Sequence, residues 1–409
     1  MTPASERRST LTIAFGCCIG SMSVTLWWPF LPLFLQQLGA QSDAEAAFWM
    51  AAAMIGSGVS RILGGPIWGV IADRVGRKNM FLRGLFAAGV ITLCSAAVSA
   101  PWQLIITMTL FGFFSGFNAA AIALASVTVP DARLKSTLSM VSGGQYVGQA
   151  LGPAIGAVLA LVVGYRGTML ASGLALIAVA MVVAKRVPAD QIKREPAAAT
   201  TGATGAEMEG AAKLQAFHIT TQLAVAITVY GILFALNGYR SVSTSIALKE
   251  IDPADVIVHT GIAFALTGVA SALGVLLVSA DALRKMRLRS VMVGATLLSA
   301  GTYLLLALSE TVGYFVMALT LSALLNAAMF PATNTLIAMN VARARRGTAF
   351  GLATSAQAVG NMAGPLAAAL FTATSLQLGF AVIGGLMAIL AALIGLVVRE
   401  PRPEIPPPA

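Results

Sequence analysis

Residues 11–35, LTIAFGCCIGSMSVTLWWPFLPLFL, run for 25 positions without one charged side chain, and stretches like this one recur along the whole chain. A helix needs about 20 apolar residues to cross a hydrocarbon core of about 30 Å, so a run of this kind has no place in a water-soluble fold of ordinary size. The recurrence excludes a soluble enzyme. Of 409 residues, 57% are hydrophobic and only 10% charged, against about 25% charged in a typical soluble domain. Spans are expected at 11–38, 46–72, 79–99, 101–128, 136–163, 167–184, 217–248, 254–279, 290–309, 312–340, 347–373 and 378–398. Helices are the default for these spans, because unpaired strand edges cannot be satisfied in lipid and no alternating ten-residue pattern is present.

The charges then fix an orientation. Arg7, Arg8, the DRVGRK turn, Arg133, Lys135, KRVPADQIKRE, LRKMRLR, ARARR, Arg399 and Arg402 fall on one face. Asp43, Glu45, Glu250, Asp252, Asp255 and Glu310 fall on the other, against only Arg166 and Lys249. Cytoplasmic loops carry the excess of Lys and Arg, so the basic face is expected inside, with both termini on it. The net charge of +10 is thereby explained as topology rather than as a nucleic-acid footprint. The apolar run from Leu11 outlasts a signal-peptide core and lacks an AxA site, so it is read as a retained first helix. Cys17, Cys18 and Cys94 lie in apolar runs with no metal or disulfide spacing.

The longest polar stretch, residues 185–215, divides the spans six and six. The expected organisation is an N-terminal half over 1–184, a cytoplasmic linker over 185–216, a C-terminal half over 217–400 and a tail over 401–409. Internal duplication supports it: GGQYVGQALGPA (143–154) aligns with SAQAVGNMAGPL (355–366) at an offset of 212, sharing Q-x-V-G-x-x-x-G-P. The same offset lays Trp28 over Arg240. Glycines at four-residue spacing (Gly144, Gly148, Gly152) allow close helix approach, and Pro153 and Pro365 loosen their helices.

Residues 69–78 read GVIADRVGRK, with Gly69, Asp73, Arg74, Gly76, Arg77 and Lys78 as the recurring elements. Glycine suits a tight reversal at the membrane surface, and one carboxylate among three cations can pair with helix ends. This resembles the GxxxDRxGRK signature of the major facilitator superfamily. With WPFLPLFLQQLG in span one and GQALGPAIGA in span five, the chain is similar more narrowly to the twelve-helix drug/proton antiporter branch. The resemblance implies an all-α polytopic membrane protein, about 12 transmembrane helices in two pseudo-symmetric six-helix halves, working as a monomer in a bacterial inner membrane without a cofactor. It further implies an antiporter motif at Gly144, Gly148, Gly152, Pro153 and Gly156. In a gating motif of this family Asp73 faces the start of span eleven and Arg77 pairs with an acid after span four, here Asp131. Two features depart from the branch: Met108 stands where span four usually carries an arginine, and span one holds no carboxylate for proton exchange.

Two arginines interrupt apolar spans. Arg240, ten residues before Glu250, lies about 15 Å from the acidic boundary, and Arg61 lies roughly 24 Å and 18 Å from Glu45 and Asp73. A guanidinium at such depth costs from about 2.5 to above 10 kcal/mol unless partnered, and every carboxylate sits in a loop or at a helix end. The cargo is one source of the missing anion. Asn237, Arg240, Ser241 and Thr244 recur at i, i+3, i+4 and i+7, a polar helical face suited to carboxylate or phosphate oxygens. Asn118, Gln145, Tyr146, Asn326, Asn334 and Gln357 are further cavity candidates, with Trp27, Trp28 and Tyr239 as walls. Each is also open to plain helix-to-helix hydrogen bonding. His259 reads as an interfacial histidine, and with His218 it offers no nucleophile–base or metal constellation. With no GxxxxGK[ST] loop, ATP hydrolysis is not expected to supply the energy. The expected function is export of small amphipathic, anionic or carboxylate-bearing molecules, such as drugs or siderophore-like metabolites, in exchange for protons. An organic-anion importer or exchanger, and a sensor or membrane enzyme on a transporter scaffold, are the alternatives.

Overall fold

The computed structural model of the chain describes residues 3–128, 131–188, 220–279, 287–341 and 346–398. Helix follows helix through these residues: α1 (Pro3–Trp27), a 3-10 turn (Trp28–Phe30), α2 (Leu31–Gln37), α3 (Asp43–Val75), α4 (Arg77–Ala96), α5 (Pro101–Phe114), α6 (Phe117–Thr128) and α7 (Asp131–Arg186). The second half continues with α8 (Thr221–Ile251), α9 (Val256–Ser279), α10 (Leu288–Ala307), α11 (Val312–Met339), α12 (Arg346–Thr372) and α13 (Leu376–Val397). Among the described residues, ten stretches are long and apolar enough to cross a membrane. One of them, Gly143–Arg186, is 44 residues long and bends at Gly164, whose backbone leaves the helical region at φ 70° and ψ 176°, so it accounts for two crossings. Together with α12 the order gives the expected twelve. Most of the linker and the whole tail lie outside the described residues, and α7 continues through Arg186.

Two spans and one turn differ from the sequence reading. Span one is not continuous, because Pro29 and Pro32 remove backbone donors and the chain tightens into a 3-10 turn before α2. Span four breaks at Ser115–Gly116, where Gly116 takes φ +31°; a Ser–Gly pair is a common site for such a break. The turn around residues 69–78 shrinks to one residue. α3 stays helical through Val75, Gly76 reverses the chain at φ +97°, and α4 starts at Arg77. Gly69 is therefore an ordinary helical position with nothing within 4 Å of where a Cβ would stand.

Each half closes around a glycine stripe. Gly144, Gly148, Gly152 and Gly156 on α7 rest against the backbone of Ala14, Cys18, Met22 and Leu26 on α1. Gly360 and Gly364 on α12 rest in the same way against Gly231 and Ala235 on α8. The contact register from half to half is 213 from Cys18 to Gly231 and from Met22 to Ala235, one residue more than the sequence offset of 212. Arg240 thus answers to Trp27 rather than Trp28. The halves meet along α3 with α12 and α7 with α9, through Gly58 against Met362, Gly261 against Ala157 and Gly268 against Ala150. Leucines and valines facing away from these seams are largely exposed, Val162 at 76% and Leu396 at 80%, as a surface meant for lipid requires.

Candidate functional site

α8 carries the polar face. Thr220 caps its start by accepting from the Leu223 amide at 3.2 Å, and the helix then runs unbroken for 31 residues. Ala235, Gly238 and Val242 lie toward α12, where a Cβ on Gly238 would meet Pro365. At about 100° per residue, Asn237, Arg240, Ser241 and Thr244 fall on the opposite side. Arg240 reaches Ser322 Oγ of α11 through Nη1 at 3.5 Å and Asn237 Oδ1 through Nη2 at 3.4 Å. Both contacts sit at the outer limit for a hydrogen bond, and its Nε is enclosed with no acceptor. Among the described residues no carboxylate pairs with it. Asn237 is exposed, Ser241 half-buried and donating to Gly238 O at 2.7 Å, and Thr244 fully buried.

Arg61 lies in the other half, on α3. Ser57, Ser60 and Gly64 of α3 pack on α5, with Ser60 Oγ donating to Thr109 O at 2.7 Å, while Gly58 faces α12. Arg61 falls between these two contacts on the helix, is exposed, and has no ion-pair partner among the described residues. Each arginine is thus carried by its own half.

The other candidates divide by environment. Gln145, Asn334 and Gln357 are half-buried, as is Trp28, whose ring lies 5.7 Å from that of Trp27. Asn118 accepts from Ser21 Oγ at 3.4 Å, tying α6 to α1. Asn326 is 3% exposed, accepts from Ser299 Oγ at 2.9 Å and lies 3.4 Å from Tyr303 Oη, which makes it a polar tie between α10 and α11. Trp27 and Tyr239 are each 1% exposed, Tyr239 with its ring edge-on to Phe371 and Phe380. These three face packed helices rather than open space. The Tyr146 side chain lies outside the described residues.

In the motif turn, Arg74 is exposed and Lys78 donates to Ala184 O at 2.8 Å, satisfying a carbonyl in the last turn of α7. The Asp73 and Asp131 side chains lie outside the described residues, and with them the two pairings expected of the motif. The glycine stripe and Pro153 belong to the seam with α1 and, at the Pro153 carbonyl, to the approach of Gly261.

One further cation escaped the sequence reading. Arg83 of α4 stacks on the Trp68 ring with its guanidinium carbon 3.5 Å from the centroid, while its Nε and Nη1 are enclosed without acceptors. Trp68 is itself fixed by donating Nε1 to Phe113 O at 2.7 Å, next to the break in span four. An arginine six residues inside a span was the available signal; its closeness to the basic turn disguised it.

The Major Facilitator Superfamily model matches residues 13–280 and 230–409. The multidrug resistance protein MdtG of Escherichia coli is 31% identical over 159 residues, which is 39% of this chain and 39% of MdtG. The chain thus matches about two fifths of the length of the curated relatives found. Among solved structures, a bacterial homologue of the human lysosomal transporter Spinster, in an inward-facing conformation, superposes with a TM-score of 0.75 at 13% identity over 97% of both chains. A D-xylose–proton symporter superposes with a TM-score of 0.75 at 15% identity, over 96% of this chain and 98% of its own. Matched along nearly its whole length, and folded as two six-helix halves, the chain belongs to the Major Facilitator Superfamily.

Proposed function

We propose that the protein exports small amphipathic, anionic or carboxylate-bearing molecules from the cytoplasm by alternating access, coupled to protons. It acts as a monomer in a bacterial inner membrane, with the basic face and both termini inside. The observation that carries this reading is Arg240: a permanent charge on the polar side of α8, with two hydrogen-bond contacts at the limit of length and one enclosed donor without an acceptor. A carboxylate entering beside Asn237 and Ser241 completes that donor set and offsets the cost of holding a cation in a site of low dielectric. Export, rather than uptake, is supported by the antiporter motif in span five and by the partial similarity to MdtG, whose name records multidrug resistance.

Efflux of a fluorescent carboxylate such as carboxyfluorescein from loaded cells is the direct test, with a cationic dye as control. Arg240→Ala is expected to slow carboxylate efflux about 10- to 100-fold, the scale of a lost charge-assisted hydrogen bond. Arg240→Lys recovers part of it, since the planar fork is lost. Unchanged carboxylate efflux from the alanine variant, at equal abundance in the membrane, removes the cargo role of Arg240. Metabolite profiling of cells with and without the gene then identifies the natural cargo.

The absence of any carboxylate from the interior of the spans, with Asp255 at the very end of one, favours one second reading, an exchanger of organic anions. Vesicles decide between them. An imposed proton gradient drives an antiporter, whereas only an anion on the far side drives an exchanger.

A further inference from the structure

Three side chains close the acidic face between the halves. Lys249 Nζ, in the last turn of α8, donates to Asp43 Oδ1 at 2.9 Å and to Gln36 Oε1 at 2.9 Å. Gln36 Nε2 donates to that same Asp43 oxygen, so the three form a closed ring. Asp43 and Lys249 are 206 positions apart, one in each half. Each charge stands where its own helix favours it. Asp43 opens α3 directly after the capping residue Ser42, and Lys249 sits at the C-terminal end of α8, the positions at which helix dipoles favour an anion and a cation.

Gln36 belongs to a separate lever. α2 is seven residues long and is joined to α1 only through the 3-10 turn, with prolines at 29 and 32 where backbone donors would otherwise continue the ladder. The turn and α2 lie against α8 and α9. Beneath them Trp27 and Thr244 are shut away at 1% and 0% exposure. We propose that Gln36, Asp43 and Lys249 form the lock that holds the acidic mouth of the transporter closed, with α2 as the lever that the lock restrains. The charged side chains are 33% and 29% exposed. Water therefore reaches both, and the pair can open and close repeatedly, which a fully buried pair could not do without a large desolvation penalty.

The experiment uses no cargo, so it stands apart from the assignment of a substrate. In a full-length chain with Cys17, Cys18 and Cys94 replaced by alanine, Thr244→Cys places one thiol behind the lock. Its reaction with a membrane-impermeant maleimide applied at the acidic face reports opening. Lys249→Gln and Asp43→Asn are each expected to raise the labelling rate about five-fold, the scale of one partly exposed ion pair. The exchanged pair Asp43→Lys with Lys249→Asp returns the rate toward that of the intact lock. Equal labelling with and without the lock charges overturns the proposal, as does an exchanged pair that labels as fast as either single variant. Labelling in denaturant, together with the thermal midpoint of the purified variants, separates a loosened gate from an unfolded chain. As a second line, Gln36→Cys with Lys249→Cys under oxidation should abolish labelling at position 244, read by mass spectrometry of the peptide that carries it, and reduction should restore labelling of that peptide; labelling of it that persists in the cross-linked protein also refutes the lock.

Discussion

A Cβ on Gly156 would stand against the Leu26 carbonyl, whereas a Cβ on Gly69 would stand in open space. Both glycines belong to motifs readable in the sequence, and spacing alone does not tell them apart. The difference becomes a stability prediction. Gly156→Ala forces α7 away from α1 and is expected to cost about 1–3 kcal/mol, as overpacking does. Gly69→Ala, at a helical position without neighbours, is expected to be neutral or stabilising by up to about 1 kcal/mol, because glycine is a poor helix former. Thermal unfolding of the purified variants in one detergent measures both, and a midpoint for Gly156→Ala equal to wild type refutes the close-packing account. The same distinction applies to the polar candidates. The periodicity of Asn237, Arg240, Ser241 and Thr244 was legible, because a helix repeats every 3.6 residues whatever surrounds it. That Asn326 spends its amide on Ser299, and that Tyr239 faces Phe371 and Phe380, was not legible, since both depend on the rotation of neighbouring helices.

At the scale of elements, helix ends and breaks carry the information. Pro29, Pro32 and the Ser115–Gly116 pair mark the two interrupted spans, and each is visible as a residue type within a run whose hydropathy is continuous. Hydropathy sums over a window and is blind to a missing N–H. Gly76 is the other decisive position, a one-residue reversal at φ +97° and ψ 149°. Side chains with a Cβ are disfavoured there by about 1–3 kcal/mol. Gly76→Val is therefore expected to lower the thermal midpoint and the amount of protein in the membrane, while Arg74→Ala, altering an exposed side chain two residues earlier, is expected to leave the midpoint unchanged. A wild-type midpoint for Gly76→Val would mean that the α3–α4 reversal tolerates another conformation.

For the whole molecule, the arrangement is two halves held together along α3 with α12 and α7 with α9, and pinned at the acidic face by Lys249. The glycine stripes lie within each half, against α1 and α8, and not between the halves. The seam between the halves has its own small residues, Gly58, Gly261 and Gly268. Leucine at Gly261, where Ala157 already crowds the Cβ position, is expected to slow transport of any cargo several-fold while leaving the cargo affinity of the resting state unchanged. Flux and equilibrium binding measured on the same preparation check this, and an equal loss in both would place Gly261 in binding instead of motion. The number of crossings, the segregation of basic from acidic loops and the family were determined by the sequence alone, because burial in lipid depends on run length and composition, which are local. Tertiary structure alone decided which arginines go unsatisfied, which glycines touch backbone, and that Lys249 closes on Asp43. Those outcomes depend on helix register and crossing geometry between segments some 200 residues apart, and no local pattern encodes that geometry.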